Sequence, residues 1–160
     1  MVRIRRVYAD TSAIGGCLDE EFSEWSNRFI DYVASGAALV VLSDLTLLEL
    51  DGAPEEVQAV LNRVPSEHRQ EVELTLESRE LAEAYIDAGV VVASKLLDAQ
   101  HVAIATVSRV DVVVSWNFKH IVNLDRIHAF NAVNLREGYP VIEIRTPQEV
   151  VPYEEDGKEN

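Results

Sequence analysis

The sequence predicts an α/β domain with a mainly parallel sheet and helices on both faces. Strand-like segments alternate with segments of helical period along the chain. Several of the strand segments are continuously apolar, the pattern of strands covered on both faces. The length, 160 residues, suits one compact domain of roughly 100–200 residues. That domain is expected over 1–152, with an acidic, disordered tail over 153–160.

Residues 2–9 alternate Val2 and Ile4 with Arg3 and Arg5 and then run Val7-Tyr8-Ala9, a first strand ending at Asp10. Asp10, Thr11 and Ser12 offer capping oxygens to a following helix. Phe22, Trp25, Phe29, Ile30 and Val33 recur at helical spacing, and Gly36 closes that helix. Residues 39–42 read as a buried strand. Ser43 or Asp44 caps a helix that carries Leu47, Leu48 and Leu50 on its apolar face and Glu49 within it. Pro54 opens a further helix to about Val64, where Pro65 ends it. Polar and apolar residues alternate over 71–76 as a short strand. Leu81, Ala82, Tyr85 and Ile86 mark the next helix, and Gly89 stops it. Residues 94–107 are the most periodic segment, with Leu97, Val102 and Ala105 in its stripe and Asp98 and His101 three apart on one side. A strand over 110–115, a helix over 123–136, a last strand over 141–144 and a short helix from Thr146-Pro147 complete the series.

Fourteen Lys plus Arg against 28 Asp plus Glu give a formal net charge of −14. That argues against broad, sequence-independent nucleic-acid binding, whose affinity comes from Lys and Arg displacing counterions around phosphates. Any phosphate chemistry is therefore local. The acids from Glu67 to Glu83 read as a solvated face. One cysteine, Cys17, excludes an intrachain disulfide and a multi-cysteine zinc site, and reads as a small buried or half-buried residue. No apolar run approaches the ~18 residues of a membrane span. An alternating segment stands where a secretory signal would need an apolar core, so a cytoplasmic protein away from membranes is expected.

Parallel sheets of this kind bind ligands beyond the carboxyl ends of their strands, at a switch in strand order. Asp10 follows the first strand, Glu49 lies shortly after the second, and Asp98 opens the helix before the 110–115 strand. A right-handed parallel wind can bring all three to one sheet edge. Like charges so placed need compensation, most simply a divalent metal, and an oxygen-only donor set suits Mg2+ or Mn2+. Each acid also has a plainer reading: Asp10 as a helix cap, Glu49 as a solvated helix residue, Asp98 as a charge matched to a helix N-terminus.

Val7-Tyr8-Ala9-Asp10-Thr11-Ser12, the segment from Ser43 to Glu49, Leu97-Asp98-Ala99-Gln100-His101-Val102-Ala103-Ile104-Ala105, and Asp111-Val112-Val113-Val114-Ser115-Trp116-Asn117-Phe118 follow one another in an order that resembles the PIN-domain family, including VapC-like toxins. The resemblance runs from about residue 4 to residue 150. It implies a three-layer α/β/α sandwich around a five-stranded parallel sheet. It also implies a Mg2+- or Mn2+-dependent ribonuclease hydrolysing RNA phosphodiester bonds as the toxin of a toxin–antitoxin pair. Carried onto this chain, the catalytic and metal-binding acids are Asp10, Glu49 and Asp98, with Thr11 or Ser12 beside the first carboxylate. The sequence departs from the family at Asn117, where a fourth acid often stands; Asn offers a neutral oxygen, so one firmly held metal is expected.

His101 and His120 are candidates to donate to phosphate or move a proton, with a satisfied structural histidine as the plainer reading of each. Lys95, Lys119 and Arg126 could meet an RNA backbone or be solvated bases. Trp25 and Trp116 could stack on bases, Trp25 reading rather as core or dimer interface. The implied partners are RNA, a cognate antitoxin covering the site, and a second copy in a homodimer. The alternative is a PIN-like binding or scaffold module that has lost catalysis, which Asn117 and the charge favour slightly. Aspartyl-phosphate chemistry fits less well, because Ser12 stands where haloacid-dehalogenase-like phosphatases carry a second Asp.

Overall fold

The computed structural model describes residues 3–153; Val2 of the expected first strand and the expected tail from residue 154 onward lie outside them. The chain runs β1 (Arg5–Ala9), α1 (Thr11–Gly15), α2 (Ser23–Ala34), β2 (Ala38–Ser43), α3 (Asp44–Asp51), α4 (Glu55–Leu61), β3 (Arg69–Val72), α5 (Leu76–Asp87), α6 (Leu96–Val107), β4 (Val112–Val114), α7 (Leu124–Arg136), β5 (Glu143–Arg145) and α8 (Pro147–Val150). The five strands pair in the order β3-β2-β1-β4-β5, every pair parallel. The chain winds outward from β1 to β3 and then returns to start again at β4, so the switch in strand order falls between β1 and β4.

Strand alternation decides the layering. Tyr8 points into one core with Val41, Val113 and Ile144, closed over by α5, α6 and α7. Val7 and Ala9 point into the other with Val40, Leu42, Val112 and Val114, closed over by α1, α2 and α4. The result is the three-layer α/β/α sandwich that the resemblance implied. Capping follows the sequence closely: Ser43 accepts the Thr46 N–H, Asn123 the Arg126 N–H and Thr146 the Glu149 N–H. Gly36, at φ +87°, takes the left-handed position just past α2 that favours glycine.

Four expectations need correction. The third strand is Arg69–Val72, earlier than 71–76; it is an edge strand paired only to β2, so alternation is a weak guide where neither face is fully covered. The acids Glu67, Glu71, Glu73, Glu77, Glu80 and Glu83 along it and α5 are exposed, as a solvated face should be. Leu48 is 71% exposed while Leu50 is buried, so α3 has no single leucine face. In α6 every residue from Ala99 to Thr106 is buried, whereas Leu97 is 50% exposed; this helix is covered all round by the sheet and α5 and carries no simple stripe. The last strand is shifted to Glu143–Arg145. No helix among the described residues is long and apolar enough to cross a membrane.

One close approach fixes the loop after α1. A Cβ built on Gly16 would lie 2.4 Å from Ser26 Oγ and 2.8 Å from Trp116 Nε1, and those two atoms are hydrogen-bonded to each other at 2.8 Å. Gly16→Ala is therefore expected to lower stability by about 1–3 kcal/mol, the usual cost of overpacking. Urea denaturation measures it, and an unchanged midpoint would show that the loop yields freely.

Candidate active site

Asp10 is the first residue beyond β1, where the sheet order switches. Its N–H donates to Val114 O at 3.2 Å, continuing the Ala9–Val114 register between β1 and β4. Its side chain caps α1: Oδ1 accepts the Ala13 N–H at 3.0 Å. The same Oδ1 accepts the Ser12 hydroxyl at 2.7 Å, and Oδ2 accepts the Ser115 hydroxyl at 2.6 Å. Both hydroxyls are aimed by backbone. Trp116 N–H donates to Ser12 Oγ and Asn117 N–H to Ser115 Oγ, each at 2.9 Å, so each serine accepts from the loop after β4 and donates onward to the carboxylate.

Asp10 is only 4% exposed. Burial pushes its pKa above the ordinary carboxylate range, against the opposing pull of His101, Ser115, Ser12 and the Ala13 N–H. Glu49 goes the other way. Its Oε1 lies 2.6 Å from His101 Nε2, and that bond is the main cause holding its carboxyl below the usual range. His101 is buried, and its Nδ1 meets the Tyr8 hydroxyl at 2.6 Å, which in turn meets Ser43 Oγ at 2.8 Å. A carboxylate only accepts, so the proton sits on Nε2, and in the neutral ring Nδ1 accepts from Tyr8. The Tyr8 hydroxyl is kept protonated chiefly by burial, with the charges of Asp10 and Glu49 adding to it. The two acids thus share one neighbourhood above Tyr8. The satisfied structural reading of His101 holds, and the residue also fixes the Glu49 side chain.

Asp98 lies half-buried in the first turn of α6, one turn ahead of His101. Its charge bears on His120, whose pKa is lowered by partial desolvation first and then by Lys95, Lys119 and Arg126, with Asp98 opposing them. The bases that look isolated in sequence therefore all bear on His120, as Asp98 does. Asn117 engages its Oδ1 on the His120 N–H at 2.9 Å, holding the loop after β4. Trp116 is buried at 9% exposure, while half-buried Trp25 lies outside both cores under the Arg28 guanidinium, 4.8 Å from its ring centroid. Cys17 is buried, and burial pushes its thiol up to about 11.

Among the described residues, no three carboxylate, imidazole or thiolate groups already converge as a cation cage. The donor types nonetheless fit a hard divalent cation. Asp10 and Glu49 are oxygen donors, and Thr11 Oγ1 is buried without a hydrogen-bond partner, although it lies near enough to Glu49 to help keep that carboxylate charged. An orphaned buried oxygen is costly, and a hard cation is a partner it can take.

No family model and no curated protein matches this sequence. Solved structures do. VapC20 of Mycobacterium tuberculosis, a toxin that cleaves the sarcin–ricin loop, aligns over 71% of this chain and 92% of its own at a TM-score of 0.54 and 14% identity. The VapBC complex of Salmonella typhimurium bound to DNA aligns over 90% and 99% at 0.54 and 20% identity. This chain has the PIN fold of the VapC toxins. VapBC2 of Rickettsia felis, bound to a DNA fragment from its promoter, aligns over 88% and 98% at 0.54 and 12% identity.

On this fold the hydrogen bonds around Asp10 and Glu49 involve Ser12, which the sequence offers as a candidate, and also Tyr8, Ser115 and His101, of which the sequence singles out only His101. Tyr8 is hidden in an apolar strand. Ser115 could be suspected only as the first polar residue after Val112–Val114. Asp10→Asn keeps an oxygen for the Ala13 N–H and removes a buried charge. Without divalent cations it is expected to raise the thermal midpoint by a few degrees, 1 kcal/mol being worth about 2–4 °C at this size. A lower midpoint than the unmodified protein would show that the charge itself holds the loop together.

Proposed function

We propose that this chain is a divalent-cation-dependent endoribonuclease of the VapC-toxin type, acting in the cytoplasm on RNA. The observation that carries the reading is the buried Asp10 carboxylate, held by two relayed serine hydroxyls at the switch point of the sheet, with Glu49 held through His101 to Tyr8 of the same strand end. Asp10, Glu49 and Thr11 Oγ1, joined by Asp98 from the first turn of α6, would hold Mg2+ or Mn2+. A bound divalent cation supplies Lewis-acid activation of a water and offsets charge growing on the phosphoryl oxygens.

The chain's own residues do the rest. Ser12 and Ser115 keep Asp10 in one rotamer. His101 fixes one oxygen of Glu49 and leaves the other free. Lys95, Lys119 and Arg126 give an otherwise acidic protein a local positive neighbourhood around His120 and Asp98, where a phosphate can be drawn in, and His120, with its pKa lowered, offers a neutral ring there. As a toxin of this type the protein would pair with a cognate antitoxin and form a homodimer. A catalytically weakened binding module is the second reading, favoured by the absence of a ready three-ligand cage among the described residues.

Two measurements decide. Asp10→Asn, shown to be folded, should cut RNA at least about a hundredfold more slowly in Mg2+ or Mn2+, the scale of losing one preorganised electrostatic group; equal rates would end the ribonuclease reading. Millimolar Mn2+ should raise the thermal midpoint of the unmodified protein by ligand linkage and leave that of Asp10→Asn unmoved. No shift in either protein, with no cleavage, would favour the binding module.

A further inference from the structure

Beside buried Asp10 opens a cleft of about 390 Å3 lined by Phe22 and Trp116 together with Gly15, Gly16, Asp19 and Asn117. Ser12 also lines it, and Ser12 is the residue whose hydroxyl donates to Asp10 while accepting the Trp116 N–H. The aromatic wall is thus one side chain away from the carboxylate. Phe22 stacks on Trp116 with centroids 4.5 Å apart and planes 19° apart. Phe118 extends the cluster, 6.2 Å from Phe22 and 6.1 Å from Trp116.

This wall is rigid. Trp116 Nε1–H donates to Ser26 Oγ, whose own hydroxyl donates to Ala13 O at 2.8 Å, and Gly16 leaves no slack behind it. Folding does not account for the outer rings: Phe22 is half-buried, Phe118 is 50% exposed, and neither belongs to a core cluster. No Lys or Arg lines the cleft, and the Asp19 carboxylate would repel a phosphate there. The polar groups suit a heterocycle. Asp19 Oδ1 accepts the Glu21 N–H, leaving Oδ2 as an acceptor, and Asn117 Nδ2 is an unengaged donor.

We propose that this cleft receives one unpaired nucleobase of the RNA, adjacent to the phosphodiester held at Asp10, against the Phe22–Trp116 wall, with the exposed Phe118 ring adjoining that wall as an outer stacking face. The placement next to the cleaved bond rests on the ribonuclease reading; the stacking does not. Aromatic faces stack any base, and unpaired bases offer their Watson–Crick edges to neighbouring polar groups. The Asp19 carboxylate selects bases with an exocyclic amine, such as adenine or cytosine, over uracil. Stacking draws on no positive charge, so it supplies affinity where a net −14 chain offers few phosphate contacts.

The test uses Asp10→Asn protein to keep RNA intact, titrated with fluorescein-labelled single-stranded hexaribonucleotides of adenine, cytosine or uracil and with an adenine hexamer carrying abasic positions. Cleavage by the unmodified protein is followed in parallel. Phe118→Ala removes an exposed ring. Gly15→Leu fills the cleft from a position whose Cβ would have nothing within 4 Å. Each should weaken binding of the adenine hexamer about tenfold or more, Phe118→Trp should restore it, the abasic hexamer should bind as weakly as to Phe118→Ala, and Asp19→Asn should narrow the gap between adenine and uracil. In the cleaving protein Phe118→Ala should raise KM and leave kcat nearly unchanged. Unaltered binding in both Phe118→Ala and Gly15→Leu overturns the subsite even if the protein cuts RNA. The full stacking pattern in a protein that cuts no RNA sustains the base site while the ribonuclease reading fails.

Discussion

A carboxylate almost out of contact with water, at the one place where the sheet changes direction, sets the terms for everything around it. Asp10 is tolerable there because three donors reach it, and those donors come from α1 and from the loop after β4. Backbone N–H groups of residues 116 and 117 donate to the serine oxygens and so turn the hydroxyl hydrogens toward the carboxylate. The end of β1, the start of α1 and the exit from β4 are therefore a single hydrogen-bonded unit. The pairing of Ala9 with Val114 fixes its register. Networks of this kind in a low-dielectric interior are worth most when complete and cost most when one member is missing.

The same geometry gives the two neighbouring acids opposite characters. Asp10 is pushed up by burial, whereas Glu49, with its side chain 32% exposed, is pulled down by its bond to His101. Pairs of carboxyl groups driven apart by their surroundings mark sites with divided roles. Here the division has a structural source in Tyr8, whose hydroxyl anchors His101 from beneath and so fixes where Glu49 can be. The wider charge distribution agrees with it. The exposed acids gather along β3 and α5 at one side of the sheet, and Lys95, Lys119 and Arg126 bear, with Asp98, on His120.

What could be read from the sequence follows from the range over which each feature is determined. Caps are local, and Asp10 and Ser43 are legible as such in the sequence. The continuous apolar strands announced a sheet covered on both faces. Edge strand β3 was misplaced because its position depends on pairing with β2 and not on its own pattern. Helix α6 was read as striped because sequence shows what is apolar but not how many neighbours will cover it. The acids stood out because charge beside apolar runs is conspicuous. Ser115 did not, since its partner lies 105 residues away. Likewise, nothing in an alternating strand distinguishes a tyrosine that merely packs from one that carries a histidine on its hydroxyl.

A helix cap needs only an oxygen, and Asn serves it about as well as Asp. The capping role, which the structure shows plainly, therefore explains why an oxygen stands at residue 10 but not why a full charge does. Ser12 and Ser115 soften that charge without neutralising it, and His101 directs its Nε2 proton to Glu49. The buried hydroxyl of Thr11, which no hydrogen bond of good geometry satisfies, sits near Glu49 and is only partly explained by it. A buried negative charge and an unpartnered oxygen side by side are both relieved by the same kind of species, a small hard cation. The strain that folding leaves at this end of the sheet thus has the sign and chemistry of a binding site, and the aromatic cleft opening from Ser12 adds a surface beside it whose attraction for a ring does not depend on charge.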